Sequence, residues 1–449
     1  MSGSFPAEKQ FPAEKQLAAQ MRIPAEIAAL MQRLEREGFA VYAVGGCVRD
    51  TLLGKKPCDW DLATNAGLDR LKEIFPEGRT LSSKFCVIRV TAAAADGRTD
   101  VDIAAFRREE SYENGRPAVF SFVDSIEEDL PRRDFTINAM AAGRTRFIDL
   151  FAGSADLQKK LIRTVGPAAR RFSEDPLRML RAVRLACELD FELDGELVQA
   201  IAACRGLLPL AAPGKVRDEL TRLLSAPRAG RGLQLLLDLE MAGALLQTEG
   251  SLRLGGRETS RLRALSENIE RTQALPARRL GLFFTCLHKK RALAAIAKLE
   301  FDDFTARCLT DAVTEMDNFY FLNSKAKLKR FICEKGWERY DYLCGLEKAQ
   351  HRAFGYDNET RIRSRRLMLQ EITEAGEAIF PQDLAVDSAA LIDAGLCAEE
   401  ESAQKLLERL LAEVHKDPHK NERNRLLELA RTYSRGGLAA AWQRLRRDR

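Results

Sequence analysis

Residues 44–54 read VGGCVRDTLLG, and residues 59–61, shortly after them, read DWD. The first segment begins as an apolar strand, turns at Gly45 and Gly46, and continues as a short helix that carries Arg49. A glycine turn that leads into a helix lets backbone N–H groups approach a phosphate, and a guanidinium offers the same group a forked partner. The segment therefore predicts an α/β domain with a phosphate-binding turn.

The DWD segment places two carboxylates on one face of a strand. Residues two apart project together, so Asp59 and Asp61 face one way and Trp60 the other. Adjacent carboxylates repel each other, but Mg²⁺ takes one or two protein carboxylates together with substrate phosphates. Alone, DWD is more typical of a solvent-facing edge strand. With the glycine turn it predicts a metal site, to which Asp102 in the strand-like segment 101–106 would add a third carboxylate, unless solvent or the neighbouring acid accounts for it.

The segment RRDFTINAM at 132–140 places two arginines and an acid ahead of an apolar, helix-like run. Such a group can hold a triphosphate and a ribose hydroxyl at the same time. The alternative is a helix N-terminus with an exposed salt bridge, which is more plausible for Arg132 than for the whole segment.

A further helix is predicted in RFSEDPLRMLRAVRLA at 171–186. Ser173 is a suitable N-cap, Glu174 and Asp175 suit the positive end of the helix dipole, and Pro176 is acceptable in a first turn. The helix is expected to begin at these residues.

Within that helix, Asp175 and Arg178 are three residues apart and share a face, whereas Arg181 and Arg184 lie progressively further round. Cytosine and adenine each present an amine beside an unprotonated ring nitrogen. An aspartate oxygen can accept from the amine while an arginine donates to the ring nitrogen, so this pair predicts selection of C and A without a template. Taken alone, the pair is better explained as a surface ion pair that contributes about 0.2–0.5 kcal/mol.

The composition indicates a multidomain globular protein. A chain of 449 residues with 45% apolar and 31% charged residues suggests about three domains, without an apolar run that could span a membrane. The ten cysteines lack CxxC pairs and no secretory signal is evident, which favours a reducing cytoplasm. The net charge is only +5, but basic stretches at 159–184 and 420–449 suit a phosphate backbone, although each alone is about as well explained as a solvated helix face.

The predicted organisation is an α/β head followed by a long all-helical region. Strands are expected at 39–44, 60–63, 85–91 and 101–106, and a helix from Pro24 to Gly38. The predicted divisions are a disordered or expression-derived extension at 1–20, which holds a duplicated FPAEKQ, then a head at 21–153, a neck at 154–225, a body at 226–340 and a tail at 341–449.

In this order the segments resemble the motifs of the class II tRNA nucleotidyltransferases, the CCA-adding enzymes and their relatives, which include bacterial poly(A) polymerases. GGCVRDTLLG with DWD resembles their first motif, RRDFTINAM their ribose motif, EDPLRMLRAVR their amino-acid template, and GKVRDELTRLL at 214–224 their neck motif. DLAVDSAALIDAGL at 383–396 is similar to the tail of the Gram-positive CCA-adding subgroup. An acidic run at 397–401 replaces the Gly-Pro-rich turn of that subgroup and would repel RNA.

The resemblance implies a polymerase-β-like nucleotidyltransferase head with a mixed sheet, followed by an all-α neck, body and tail. The 3′-hydroxyl of tRNA would attack the α-phosphate of CTP or ATP and release pyrophosphate, in the cytoplasm, by a monomer or a homodimer. Asp59 and Asp61 would bind the catalytic Mg²⁺, and Asp102 would complete the catalytic acids. The implied nucleotide-binding residues are Gly45, Gly46, Arg49, Arg133, Asp134, Asn138, Glu174, Asp175, Arg178, Arg181 and Arg184.

Three other functions compete with CCA addition. The first is an A-only enzyme, either a tRNA A-adding enzyme or a poly(A) polymerase. The other two are an inactive RNA-binding homologue and a small-molecule nucleotidyltransferase. The segment 107–130 resembles the flexible loop of the family, with Tyr112 and Phe120 as anchors. A full-length loop goes with adding both C and A in that family, so its presence argues against CC-only activity but does not exclude an A-only enzyme. The intact DWD pair argues against an inactive homologue, and the long helical region against a small-molecule enzyme.

Overall fold

The computed structural model describes Leu17 and residues 21–94, 97–113, 116–246 and 253–433. The duplicated hexapeptide and the basic residues after 433 lie outside this part of the chain, so their interpretations stay predictions. Two compact units are present, one formed by residues 1–266 with 298–300 and the other by 267–297 with 301–449. The boundaries predicted at 153, 225 and 340 fall inside these units and remain predictions.

The first unit contains a seven-stranded mixed sheet. Its strands are β1 Val41–Val44, β2 Trp60–Thr64, β3 Arg79–Ser82, β4 Val87–Ala94, β5 Gly97–Ala105, β8 Ala141–Ala142 and β9 Phe147–Ile148. They lie in the order β3-β4-β5-β2-β1-β8-β9, with β2 and β5 parallel and the other neighbouring pairs antiparallel. All four predicted strands are therefore confirmed, with ends shifted by a few residues.

Helix α1 Ala25–Arg36 precedes β1, α2 Gly46–Leu52 lies between β1 and β2, and α3 Leu68–Ile74 lies between β2 and β3. The apolar stripe of α1 is buried. The helix ends just before Gly38, which has a φ of 83°, a backbone conformation that glycine adopts at little energetic cost. The pattern at 24–38 thus predicted this helix correctly.

The remainder of the first unit is mostly helical. Its helices are α4 Ile126–Asp129, α5 Gly153–Lys159, α6 Ala168–Glu174, α7 Leu177–Leu189, α8 Gly195–Cys204, α9 Pro213–Ser225, α10 Ala229–Asp238, α11 Met241–Leu245 and α12 Gly256–Asn268. A short parallel pair joins β10 Leu161–Ile162 to β11 Glu192–Leu193. A 3-10 turn at Thr136–Asn138 packs so closely against the start of α5 that a side chain at Gly153 would collide with the Thr136 carbonyl.

In the described residues of the second unit, all regular secondary structure is helical. It contains α13 Pro276–Thr285, α14 Lys289–Lys298, α15 Asp303–Thr314, α16 Met316–Tyr320, α17 Lys325–Lys335, α18 Trp337–Phe354, α19 Glu359–Glu374, α20 Ser388–Asp393 and α21 Glu400–Lys416, and residues 423–433 are also helical. A search of the described residues found no helix that is both long and apolar enough to cross a membrane.

The acidic run at 397–401 has a local structural role. Glu399 is the N-cap of α21 and forms a capping box with Ser402, and Glu400 and Glu401 occupy the first turn. Acids at this position interact favourably with the helix dipole. The run therefore helps to start a helix, whatever its effect on RNA.

The segment 107–130 is not a loop, which corrects the prediction. Residues Arg107–Glu113 and Arg116–Phe122 form β6 and β7, an antiparallel pair separate from the main sheet. The sequence carried a signal for this hairpin, because alternating residues flank an Asn-Gly pair at 114–115, which itself lies outside the described residues.

Candidate active site

The glycine turn and the DWD segment meet where the adjacent central strands β1 and β2 pair. Val44, the last residue of β1, pairs with Asp61, so the turn that follows it begins beside the Asp61 carboxylate. Gly45 has a φ of 79°, and a Cβ there would lie 3.7 Å from Asp61 Oδ2 and 3.4 Å from Arg133 Nη1. Trp60 is buried whereas Asp59 and Asp61 are exposed. The predicted orientation of the DWD strand is confirmed.

The environment of Asp61 disfavours its negative charge. Although the side chain faces solvent, partial loss of hydration to the surrounding protein, and then the charge of Asp59, raise its pKa to about 6. Asp102 acts in the same direction, and Arg133 only partly opposes them. A bound cation would relieve this repulsion, so the carboxylates fit the proposed divalent ion.

Metal binding is expected to weaken as the pH falls below about 6, the pKa of Asp61. A raised pKa means that Asp61 is charged above this pH and protonated below it, and a proton competes with the metal. The affinity for Mn²⁺, followed by electron paramagnetic resonance, should fall by roughly tenfold per pH unit below this point. Asp61→Asn removes the titrating group and should greatly weaken binding, and any residual Mn²⁺ binding with a pH dependence as steep as in the wild type would contradict the assignment.

The third acid, Asp102, lies where the sequence placed it. Asp61 and Asp102 are direct neighbours on the parallel strands β2 and β5. Both oxygens of Asp102 accept hydrogen bonds from Arg89 on β4, at 2.7 Å from Nε and 2.9 Å from Nη2. Sequence analysis missed Arg89, because nothing in the sequence gives the register between β4 and β5.

The arginines of the ribose segment are held by a carboxylate that sequence analysis also missed. Asp129 is fully buried and accepts from Arg132 Nε at 2.9 Å and from Arg133 Nη2 at 3.1 Å. Burial alone would raise the pKa of Asp129, but the charges of the two arginines outweigh it and hold that pKa below its ordinary value. Arg133 Nε is buried without a hydrogen-bond partner, which fits a group that has a further ligand to receive.

A chain of hydrogen bonds runs from the glycine turn to α7. Arg49 Nη1 donates to Asn138 Oδ1 at 2.7 Å, and Asn138 Nδ2 donates to Asp134 Oδ1 at 3.1 Å. Asp134 in turn accepts from Arg181 Nη1 at 2.9 Å. Burial would raise the pKa of Asp134, but Arg181 and Asn138 hold it below its ordinary value. The structure thus joins four predicted site residues in one network.

The network continues into the neck motif through Glu219 of α9. Arg181 Nε lies 3.4 Å from Glu219 Oε1, and Arg184 Nε donates to the other oxygen. Arg184 also pairs with Glu188. The arginines at 159–184 are therefore paired with acids, although Arg163 and Arg170 keep exposed side chains. The interpretation of this stretch as a phosphate-binding surface stays a prediction.

Replacing Glu219 should destabilise the first unit strongly. Glu219→Leu removes one acidic partner from both Arg181 and Arg184, and Arg184 is buried. This loss is expected to lower the free energy of unfolding by about 3 kcal/mol. Urea unfolding followed by the fluorescence of Trp60, with the other two tryptophans replaced by phenylalanine, measures this unit.

Glu192→Leu is the matched control for that variant, because Glu192 also pairs with an arginine but its side chain is 79% exposed. Its loss should cost less than about 1 kcal/mol. Equal losses in the two variants would contradict a structural role for the buried pairing.

The predicted start of the base-reading helix was wrong. A helix ends at Glu174 and a new one begins at Leu177, so Ser173 is not an N-cap but donates to the Arg170 carbonyl. Asp175, which precedes Pro176, is extended at φ −146° and ψ 101°. The proline ring disfavours helical backbone at the residue before it, and this explains the break.

As a result, the acid that pairs with Arg178 is Glu174 rather than Asp175. Arg178 Nη1 lies 2.8 Å from Glu174 Oε2, whereas Asp175 Oδ1 accepts from the Leu177 N–H at 3.0 Å. Burial raises the pKa of Asp175, and the charge of Arg178 partly opposes this rise. Both acids stay beside Arg178, but they do not share a helical face with it.

The β6–β7 hairpin contacts the same arginine. The Arg178 guanidinium lies 5.7 Å from the ring centre of Tyr112, and its Nη2 is 3.4 Å from the tyrosine hydroxyl. Phe120 on the second strand packs against Phe85 with ring centres 5.2 Å apart. The two aromatic residues predicted to anchor this segment therefore make such contacts.

The donor set favours a metal that is bound jointly with substrate. Among the described residues, no group of three or more His, Cys, Asp or Glu side chains is arranged to hold an ion. Asp59 and Asp61 supply two carboxylates, which suits an oxygen-preferring ion that also takes phosphate oxygens.

Two family models match the chain. Residues 41–163 match the family described as "Poly A polymerase head domain". Residues 190–248 match the family described as "Probable RNA and SrmB- binding site of polymerase A".

Similar proteins include two curated CCA-adding enzymes. The enzyme of Streptococcus suis (strain 05ZYH33) is 31% identical over 333 residues, which cover 74% of this chain and 79% of that enzyme. The enzyme of Lactiplantibacillus plantarum is 40% identical over 223 residues, which cover 49% of this chain and 54% of that enzyme.

Two solved structures share the fold. The crystal structure of the Bacillus stearothermophilus CCA-adding enzyme in complex with CTP has a TM-score of 0.71 at 25% identity and covers 92% of this chain and 98% of its own. The structure of the Thermotoga maritima CCA-adding enzyme complexed with tRNA has a TM-score of 0.56 at 20% identity, and the match covers 94% of this chain and 98% of that chain. At this identity the match supports only the similarity of the fold. With the Streptococcus suis enzyme matched over most of its length, the chain belongs to the CCA-adding enzyme family.

Proposed function

We propose that this protein adds CCA to the 3′ end of tRNA, using CTP and ATP and releasing pyrophosphate. One observation carries the proposal beyond family membership: a continuous set of hydrogen bonds links Arg49, at the phosphate-binding turn, to Arg181 on the helix that carries Arg178. Groups suited to a triphosphate and groups suited to a base edge are thereby held in one site.

Each group has a proposed task. Gly45 and Gly46 leave room for phosphates beside Asp61, and Arg49 and Arg133 supply positive charge. Asp134 and Asn138 are placed for the ribose, as the resemblance implies. The base edge is assigned to Arg178 together with Glu174 and Asp175, while Arg181 and Arg184 brace that helix.

Nucleotidyltransferases of this family use divalent metal ions. We assign the ion here as Mg²⁺ held by Asp59 and Asp61. When bound, such ions activate the attacking 3′-hydroxyl and stabilise the leaving pyrophosphate. The chain's own part is to orient the triphosphate with Arg49 and Arg133 and to present Asp61, which is charged at neutral pH because its pKa is about 6.

The proposed RNA partner is tRNA, bound through its phosphates by the helical second unit. Phosphate contacts fix position without reading sequence, so they suit binding to tRNAs that differ in sequence. A tRNA-processing role and ten cysteines without a disulfide support the cytoplasm as the site of action.

Incubation of the purified protein with tRNA lacking its terminal CCA, with CTP and ATP supplied separately and together, tests the proposal. CTP alone should extend the tRNA by two residues, and both nucleotides together by three. Incorporation of ATP without any use of CTP would establish the A-only alternative instead.

A further inference from the structure

Three charged side chains form a row across adjacent strands of the main sheet. Arg89 on β4 lies opposite Asp102 on β5, and Asp102 lies beside Asp61 on β2. Directly opposed residues of neighbouring strands project from the same face of a sheet. The row therefore runs across the face that carries the proposed metal site.

The contact between Arg89 and Asp102 uses both oxygens of the carboxylate. Nε and Nη2 of Arg89 donate to Oδ1 and Oδ2 at 2.7 and 2.9 Å, a bidentate geometry that fixes orientation as well as supplying attraction. The remaining nitrogen, Nη1, lies 3.8 Å from Asp100 Oδ2. Both oxygens of Asp102 are thus directed across the sheet towards β4.

An Asp102 carboxylate held in this way is poorly placed to join a cation beside Asp61. Its two oxygens are engaged by a guanidinium, and a metal ion approaching them would also meet the positive charge of Arg89. We propose that Arg89 is a positioning residue that keeps Asp102 out of the metal coordination shell. This inference rests on the proposed assignment of the metal to Asp59 and Asp61.

The arrangement has a functional logic. A site with fewer charged ligands binds its ion less tightly and leaves more coordination positions for substrate phosphates. An enzyme that must exchange one nucleotide triphosphate for the next benefits from an ion that is shared with the nucleotide. Arg89 sets the number of protein carboxylates at two.

The test uses Mn²⁺ as the probe, with the full-length protein free of nucleotide at pH 7.5. Arg89→Met should tighten Mn²⁺ binding, measured by electron paramagnetic resonance of the free ion, on the order of tenfold, because Asp102 becomes a ligand. Water proton relaxation should show one fewer water molecule on the bound ion, which a change of charge alone would not produce. Arg89→Gln provides the same comparison if the methionine variant is unstable.

The double variant Arg89→Met with Asp102→Asn is the matched control. Its two neutral side chains have the same net charge as the original pair, so its Mn²⁺ affinity should return to within about twofold of the wild type. An unchanged affinity or an unchanged number of bound waters in Arg89→Met would overturn the inference.

A failure of the underlying metal assignment would look different. If Asp61→Asn left the Mn²⁺ affinity of the otherwise unaltered protein unchanged, the proposed metal site itself would be wrong. If Asp61→Asn abolished binding but Arg89→Met did not tighten it, only the role of Arg89 would be rejected.

Discussion

Asp61→Asn is expected to lower the rate of CMP addition by on the order of a thousandfold or more. The substitution keeps the shape of the side chain but removes a carboxylate that sits between Asp59 and Asp102 and adjoins the glycine turn. Single-turnover extension of tRNA lacking CCA measures the chemical step. Asp59→Ala should give a similar loss.

The same variant should bind tRNA with an affinity within about twofold of the wild type, because the lost carboxylate does not contribute to phosphate contacts. Asp100→Asn removes an equal charge from the strand that carries Asp102 and is a suitable control, since Asp100 contacts Thr91 and lies near Arg89. Its rate should stay within about threefold of the wild type. A rate for Asp61→Asn that matched this control would reject Asp61 as a metal ligand.

Arg178→Met is expected to lower kcat/KM for both CTP and ATP by about a hundredfold and to reduce the preference for them over UTP and GTP. Arginine can donate to the unprotonated ring nitrogen that cytosine and adenine share, whereas methionine fills similar space without a donor. Competition between nucleotides for one tRNA primer measures the preference directly.

Arg170→Met is the matched control for this variant, since Arg170 also pairs with Glu174 but its side chain is 76% exposed. Its kcat/KM should remain within about threefold of the wild type. If Arg178→Met lost activity but kept the same order of nucleotide preference, Arg178 would be a support for Glu174 and Tyr112 rather than a reader of the base.

The local parts of the site could be predicted because their chemistry is written in short segments. Alternation places Trp60 inside and Asp61 outside, and the Gly45–Gly46 turn follows from residue types alone. The head and the helical region likewise follow from hydrophobic period and strand length. Family resemblance then assigned roles to residues that already formed a recognisable pattern.

The pairing between segments could not be predicted in the same way. Asp134 and Arg181 are 47 positions apart in sequence, and Arg181 and Glu219 are 38 apart, so only the folded chain brings them together. The register that sets Arg89 opposite Asp102 is equally invisible in the sequence.

Two errors were avoidable on physical grounds. The restriction that Pro176 places on Asp175 predicts a helix break, and the Asn-Gly pair at 114–115 predicts a hairpin. Asp129 was also detectable from the sequence, because it precedes Arg132 by three residues and Arg133 by four, the spacing of helical ion pairs.

The hydrogen-bonded chain between Arg49 and Glu219 limits how this enzyme can be recombined with its relatives. A chimaera that took residues up to 153 from one enzyme and the remainder from another would cut the chain at the contact between Asp134 and Arg181. Where the second parent lacks Arg181, such a hybrid would leave the partly buried Asp134 carboxylate without its arginine. Exchange is therefore expected to succeed only between parents that share this contact. Among active hybrids, the parent that supplies the first part of the chain should therefore limit which parents can supply the second.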